Sequence, residues 1–270
     1  MRNLYYFFLM LLLFSSCSNP SQHNDPIPVH ETFTIKSAQV NEDRTINVWT
    51  PENYKTSTDS LEVMYMPDGG IKEDFPHIAN TLAQLVEEGK IDPLILVGIE
   101  NTERRRDLTG PTEVAKDKEI APVVGGSAKF RAFIKEELIP EINKRYRTTH
   151  RKTIIGESLA GLFVMETFFL DPDMFENYIA FDPSLWWNNS SLLNSAKEHL
   201  AKLPSEHKAL WFAGSNATDI SNNTHKLAEI LEHTDTPNLD WGFAPEPNEE
   251  HSTIFRAKKE QAILWTLEKL

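Results

Sequence analysis

The sequence predicts an α/β domain: a mostly parallel central sheet flanked by helices, with antiparallel strands at its N-terminal edge. Three observations carry this. From residue 61 onward, short apolar runs of strand length alternate with helical patterns, the order that builds a parallel sheet through crossover helices. One of these runs, Pro93–Ile99, is almost wholly apolar, as a strand buried on both faces must be. The composition, 40% hydrophobic and 25% charged, is that of an ordinary globular domain rather than a disordered or collagen-like chain.

The elements follow in order. Thr32–Val40 and Arg44–Thr50 are β-rich runs around Asn41-Glu42-Asp43, which reads as a hairpin. Leu61–Met66 is a strand ending in the turn Pro67-Asp68-Gly69-Gly70. Apolar residues at 78, 82, 85 and 86 predict a helix over about Ile78–Glu88, stopped by Gly89. Ser127 is expected to cap a long helix running to about Tyr146 with Pro140 inside it. Thr153–Ile155 is a short strand and Leu159–Leu170 an apolar helix. Tyr178–Phe181, Ala209–Ala213 and Leu239–Phe243 are three further strands, with helices near 191–202, 222–233 and 253–269.

Charge and cysteine usage narrow the function classes. The chain carries 27 Lys and Arg against 40 Asp and Glu, a formal charge of −13, so nucleic acid is not an expected partner. Cys17 is the single cysteine, which excludes an internal disulfide and argues against a cysteine zinc site. Arg2 precedes eleven apolar or aromatic residues, Leu4–Phe14, followed by Ser15, Ser16 and Cys17. A basic start, a short apolar core and small residues read as a secretory signal, too short to span a membrane as a helix. Phe14-Ser15-Ser16-Cys17 resembles a bacterial lipobox, which implies cleavage before Cys17 and acylation of its thiol. The expected organisation is therefore a lipoprotein signal peptide over 1–16, a polar, Pro-rich tether over 17–30 and one domain over 31–270.

The most informative segment is Ile155-Gly156-Glu157-Ser158-Leu159-Ala160-Gly161. A strand runs into Gly-x-Ser-x-Ala-Gly and at once into a helix, the sharp turn that exposes a nucleophilic serine. Small residues on both sides let strand and helix backbones approach, and the helix N-terminus favours developing negative charge. Ala160 stands where the usual pattern has glycine and is small enough for the turn. The N–H of Leu159 would then donate to an oxyanion, with a second donor from Gly69 or Gly70 after the early central strand.

A serine nucleophile needs a histidine base. His199, His207, His225 and His233 lie in polar helical or loop surroundings; His251 follows the last strand and precedes the last helix, where the base belongs in the order Ser, acid, His. The acid is expected on a loop between them. Asp219, after the Ala209–Ala213 strand, is preferred to Asp182, which ends the Tyr178–Phe181 strand. Arg104, Arg105 and Arg106 form a cationic island in an acidic chain, read as an anion-binding rim through Arg104 and Arg106.

Met64-Tyr65-Met66-Pro67-Asp68-Gly69, Val97–Thr102, Arg104 with Arg106–Thr109, Gly156–Phe163, Asp182–Trp187 and His251 together resemble an esterase family of α/β-hydrolases that includes esterase D-like, enterochelin-type siderophore, and feruloyl or acetylxylan esterases. The resemblance covers nearly the whole domain. It implies the α/β-hydrolase fold and a serine carboxylic-ester hydrolase needing no metal or organic cofactor. Ser158 is then the nucleophile and His251 the base. It places Trp186 or Trp187 on the substrate wall, and it also admits a Ser–His pair without an acid. The expected substrate is a small-molecule ester, free or linked to a siderophore or carbohydrate. The expected location is the cell envelope, lipid-anchored, on the outer membrane of a Gram-negative bacterium. Acyl transfer on the same machinery and an inactive siderophore- or glycan-binding lipoprotein are the alternatives.

Overall fold

The computed structural model describes residues 25–268; the expected signal peptide, Cys17 and the tether up to residue 24 lie outside them. Eight strands form one sheet: β1 (Glu31–Ser37), β2 (Glu42–Trp49), β3 (Leu61–Pro67), β4 (Leu94–Ile99), β5 (Thr148–Glu157), β6 (Asn177–Phe181), β7 (Lys208–Gly214) and β8 (Leu239–Pro245). Their order is β1-β2-β4-β3-β5-β6-β7-β8. The β1–β2 hairpin turns at Asn41, whose φ is 54°, and β2 runs antiparallel to β4; every pairing from β4 to β8 is parallel. This is the mixed sheet of the α/β-hydrolase fold.

Side-chain alternation explains why the central strands are apolar on both faces. Met64, Met66, Leu96, Ile155 and Ile179 point to one face, where the helices Phe75–Glu87 and Ile254–Leu267 pack. Val63, Tyr65, Val97, Ile154 and Tyr178 point to the other, covered by the helices Leu159–Leu170 and Thr218–Glu232. Leu159–Leu170 is buried along almost its whole length, so it has no polar face.

Two stretches depart from expectation. The helix starting at Ser127 runs as Ser127–Phe133, a π turn over Ile134–Leu138, and Ile139–Arg145. Pro140 lacks an N–H and crowds the preceding turn, and the π turn sits where that disruption falls. Ser127 lies inside the first turn rather than capping it, and its hydroxyl donates to Glu166 Oε1 at 2.6 Å. The helix expected near 191–202 is two short ones, Trp187–Asn194 and Ala196–Leu200, broken at Ser195, whose φ of −96° and ψ of 1° are not helical; the first is also kinked at its start, where Asn188, Asn189 and Ser190 are left-handed, with φ of 50°, 54° and 56°.

The described end of the tether lies on the domain. Arg256 donates to both carboxylate oxygens of Asp25, at 3.1 and 2.7 Å, and Asn80 Nδ2 donates to the Pro26 carbonyl at 2.8 Å. Because β3 to β8 are parallel, their carboxyl ends share one edge of the sheet. Chemistry in open α/β sheets gathers at that edge.

Candidate active site

Ser158 stands between the end of β5 and the helix Leu159–Leu170, with φ 60° and ψ −117°. A non-glycine residue in this region is strained by roughly 1–3 kcal/mol and persists only where its surroundings hold it. Here the Ser158 N–H donates to the Phe181 carbonyl at 3.0 Å, and its own carbonyl accepts from Leu162 and Ser184. The glycines are steric requirements: a Cβ on Gly156 would lie 2.7 Å from the Ala160 carbonyl carbon, and one on Gly161 would lie 2.7 Å from the Phe181 oxygen.

His251, on the loop after β8, reaches Ser158 Oγ through Nε2 at 3.1 Å. Its Nδ1 lies 2.8 Å from Asp182 Oδ2. A carboxylate can only accept, so the proton sits on Nδ1 and leaves Nε2 free to accept from the serine hydroxyl. Asp182 directly follows β6, with φ 42°, and is fully buried. Its Oδ1 accepts the Ser215 N–H at 2.6 Å and its Oδ2 accepts the Ser215 hydroxyl at 2.6 Å.

The carboxylate on His251 is thus Asp182, and the expectation of Asp219 is corrected. Asp219 sits in the first turn of the helix Thr218–Glu232, where its Oδ1 accepts the Ile220 N–H at 3.1 Å. The loop after β7 delivers Ser215 to the acid instead of an acid to the histidine. β6 neighbours β5 directly, so a residue at its end lies beside the nucleophile without any loop excursion.

The sequence matches the Esterase family model, described as Putative esterase, over residues 37–258. The chain belongs to this family. Among its relatives, the ferri-bacillibactin esterase BesA of Bacillus subtilis is 31% identical over 202 residues, 67% of this chain and 70% of that protein. An IroE-like serine hydrolase from Shewanella oneidensis superposes with a TM-score of 0.79 at 25% identity, covering 88% of this chain and 79% of that one. The BES protein from Bacillus cereus shares the fold at 22% identity, with a TM-score of 0.78 over 87% of this chain and 94% of that one. The chain is a serine esterase of α/β-hydrolase fold.

Of the three expected oxyanion donors, the esterase commits two elsewhere. The Gly69 N–H extends the β3–β4 ladder by donating to the Ile99 carbonyl at 2.9 Å. Glycine is needed there because a Cβ would lie 2.2 Å from the Ile99 nitrogen. The Gly70 N–H donates to Glu73 Oε2 at 2.6 Å. Leu159, first residue of its helix, has an N–H with no acceptor inside the helix, next to Ser158.

The arginines expected on the rim are paired within the chain. Arg104 grips Asp68 with two bonds, Nε to Oδ1 at 2.6 Å and Nη2 to Oδ2 at 2.7 Å. Arg106 binds Glu42 at 2.5 and 3.0 Å and Asp107 at 2.8 Å. Arg105 donates to the Ile120 carbonyl. Arg104 and Arg106 are thus tied to carboxylates of the chain rather than standing as free cations. Asp68, at φ 57°, also accepts from Asn101, so Arg104 holds the turn that ends β3. Arg104→Ala is therefore expected to lower the thermal unfolding midpoint and to affect neutral and anionic esters alike. A fivefold or larger rise in KM confined to anionic esters, about 1 kcal/mol or more, would contradict this assignment.

Trp187 is buried and its indole N–H donates to the Gly110 carbonyl at 3.1 Å, so it belongs to the core. Trp186 is half-buried and packs on it, with ring centroids 5.9 Å apart.

Glu157, between Gly156 and Ser158, was outside the sequence reading. Burial pushes its carboxyl up to about 8, and the charges of Asp74, Asp182 and Asp68 add to that. His251 is held above the ordinary histidine range chiefly by its bond to Asp182, with Glu157 contributing. A base must be neutral to accept a proton. Activity is therefore expected to rise with pH through a value above the usual histidine pKa of about 6.5. Below about pH 8 the Glu157 carboxyl is mostly protonated and uncharged, so Glu157→Gln is expected to leave an acidic limb of kcat/KM in that range nearly in place. A limb displaced clearly to lower pH in a pH–rate profile would mean that Glu157 is ionised beside His251 and would count against this.

Proposed function

We propose that this esterase hydrolyses siderophore esters through an acyl-enzyme on Ser158. The observation that carries the mechanism is the continuous path Ser158 Oγ, His251 Nε2, His251 Nδ1, Asp182 Oδ2, with contacts of 3.1 and 2.8 Å. Ser158 Oγ attacks the ester carbonyl as His251 takes its proton. Asp182 holds the imidazole in the productive tautomer and stabilises the imidazolium. The Leu159 N–H faces the charge developing on the carbonyl oxygen. His251 returns the proton to the leaving alcohol, then activates water to release the acyl group.

The substrate class rests on the relatives. BesA is named as a ferri-bacillibactin esterase, and a relative from Aspergillus fumigatus, 37% identical over 99 residues, is named as a siderophore triacetylfusarinine C esterase. The second of these spans 32% of that relative, so it speaks for a shared segment.

The test is a panel of p-nitrophenyl, feruloyl, acetyl-xylan and ferric-siderophore esters on wild type and Ser158→Ala. The expected result is the highest kcat/KM on a siderophore ester, abolished in the variant. Preference for feruloyl or acetyl-xylan esters would move the substrate to the plant-wall class. Product in which the acyl group sits on an added alcohol rather than on water would favour acyl transfer.

We further propose an extracytoplasmic, envelope-bound enzyme anchored through Cys17. The support is the lipobox-like Phe14-Ser15-Ser16-Cys17 and the uniqueness of Cys17. Wild type is expected to fractionate with membranes and to incorporate a fatty-acid label, and Cys17→Ser to lose the label. A wild type that is unlabelled and wholly soluble would overturn the anchor.

A further inference from the structure

We propose that Ser215 is a positioning residue of the esterase, acting on the reaction through Asp182. This rests on the reading of Ser158, His251 and Asp182 given above, and goes beyond it in assigning a role to the loop after β7.

The argument begins with what a fully buried carboxylate requires. Asp182 has no exposed surface, so its lone pairs must be met by protein groups. Ser215, itself buried, meets both oxygens. Its N–H donates to Oδ1 and its hydroxyl to Oδ2, each at 2.6 Å. Oδ2 is also the atom that accepts from His251. Two donors from one residue, one on each oxygen, fix the carboxylate plane. Turning Asp182 about its last torsion would break both bonds together with the one to His251.

The same loop holds the histidine side. The Asn216 N–H donates to the Glu249 carbonyl at 3.0 Å, two residues before His251, and the Glu246 N–H donates to the Gly214 carbonyl at 2.8 Å. Gly214 lies so close to the helix Thr218–Glu232 that a Cβ would come 2.3 Å from Thr224 Oγ1. Residues 214–216 therefore tie together the end of β7, the acid and the loop that carries the base. In sequence this is the stretch that leads to Asp219, where the acid was expected.

The hydroxyl also shares the charge on Oδ2. Without it, His251 is the remaining donor to that oxygen, and Asp182 pulls on the imidazolium more strongly. The other charges that act on His251 are those of Glu157 and Asp219. Neither depends on Ser215, so the direction is set by Asp182. Loss of the hydroxyl is expected to move the acidic limb of the pH–rate profile upward.

The test is a double-mutant cycle with Ser215→Ala and Asp182→Asn, read with a neutral p-nitrophenyl ester. Ser215→Ala keeps the backbone bond and removes the hydroxyl bond to a charged group. Its expected effect is a fall in kcat of about tenfold, a KM within about twofold, an acidic limb shifted upward and a lowered unfolding midpoint with the fold retained, since Asp182 Oδ2 and the Ala217 N–H each lose a partner. In the Asp182→Asn background the same change is expected to cost less than about twofold, since the carboxylate it serves is gone. Ser215→Thr, which retains the hydroxyl, is expected to keep the wild-type limb. Wild-type kcat and pH profile in Ser215→Ala, or an equal loss in both backgrounds, would overturn the proposal. Full activity in Asp182→Asn alone would instead overturn the triad on which it rests.

Discussion

Replacing Ser158 or His251 by alanine is expected to lower ester hydrolysis by about three orders of magnitude or more, with the fold intact. The magnitude follows from how the two groups work. The serine hydroxyl is a weak nucleophile until a base removes its proton, and His251 Nε2 at 3.1 Å is the base within reach. Removing either group leaves substrate binding and the helix N-terminus at Leu159, which sustain only residual catalysis. Because the groups act as a unit, the double variant is expected to be little worse than either single one. The fold should survive. Ser158 is held in place chiefly by backbone bonds, and the His251 side chain is 45% exposed, so neither change opens a cavity in the core. Steady-state kinetics on a chromogenic ester, with circular dichroism as the control for folding, measures both. Retention of more than about a tenth of the activity in either variant would contradict the mechanism.

Asp182→Asn is expected to reduce kcat by several orders of magnitude, and Asp219→Asn to change it by less than about twofold. An asparagine at 182 keeps the shape but lets its amide nitrogen face His251 Nδ1, which then must accept. That places the proton on Nε2, where it blocks proton transfer from Ser158. Asp219 makes no bond to the ring; its carboxylate meets the start of its own helix, so its loss is a local and partly exposed change. The comparison is sharp because the two variants carry the same chemical change, one directly at the end of β6 and the other in the helix that follows β7. If Asp219→Asn is the damaging one, His251 works in an orientation other than the one described. If neither matters, the site is a Ser–His pair.

The contrast between Ser158 and Asp182 shows what the sequence made legible. The elbow is local. A β-rich run, two small residues, a serine and an apolar helix lie within ten residues, and steric necessity ties them together. The alternation of strand and helix was equally local, and the parallel sheet followed from it. The acid was a question of which strand end lies beside a histidine 69 residues away. Asp182 and Asp219 both follow apolar strands, and only the adjacency of β5 and β6, with the burial of Asp182, separates them. The partners of the arginines were hidden for a related reason. Three cations in a row look unpartnered in sequence, but Arg104 meets Asp68 across 36 residues and Arg106 meets Glu42 across 64. Gly69 looked like an oxyanion donor because glycine permits it; its N–H is committed to a ladder with β4 that no local pattern announces. The state of Glu157 is not local either: a residue between Gly156 and Ser158 acquires it first from burial in the folded site and then from the charges of Asp74, Asp182 and Asp68, none of them adjacent in sequence.

The central claim is that Ser158 is activated by His251 with Asp182 behind it. A fluorophosphonate tests it most directly, because it reacts with a serine only when that serine's hydroxyl is activated and then stays bound. Wild type incubated with the reagent is expected to gain the mass of one phosphonyl group, mapped by peptide mass spectrometry to the segment containing Ser158. Labelling is expected to be absent in Ser158→Ala, lost in His251→Ala, strongly slowed in Asp182→Asn and unaffected in Asp219→Asn. Labelling at another serine, or undiminished labelling of Ser158 in His251→Ala, would contradict the claim.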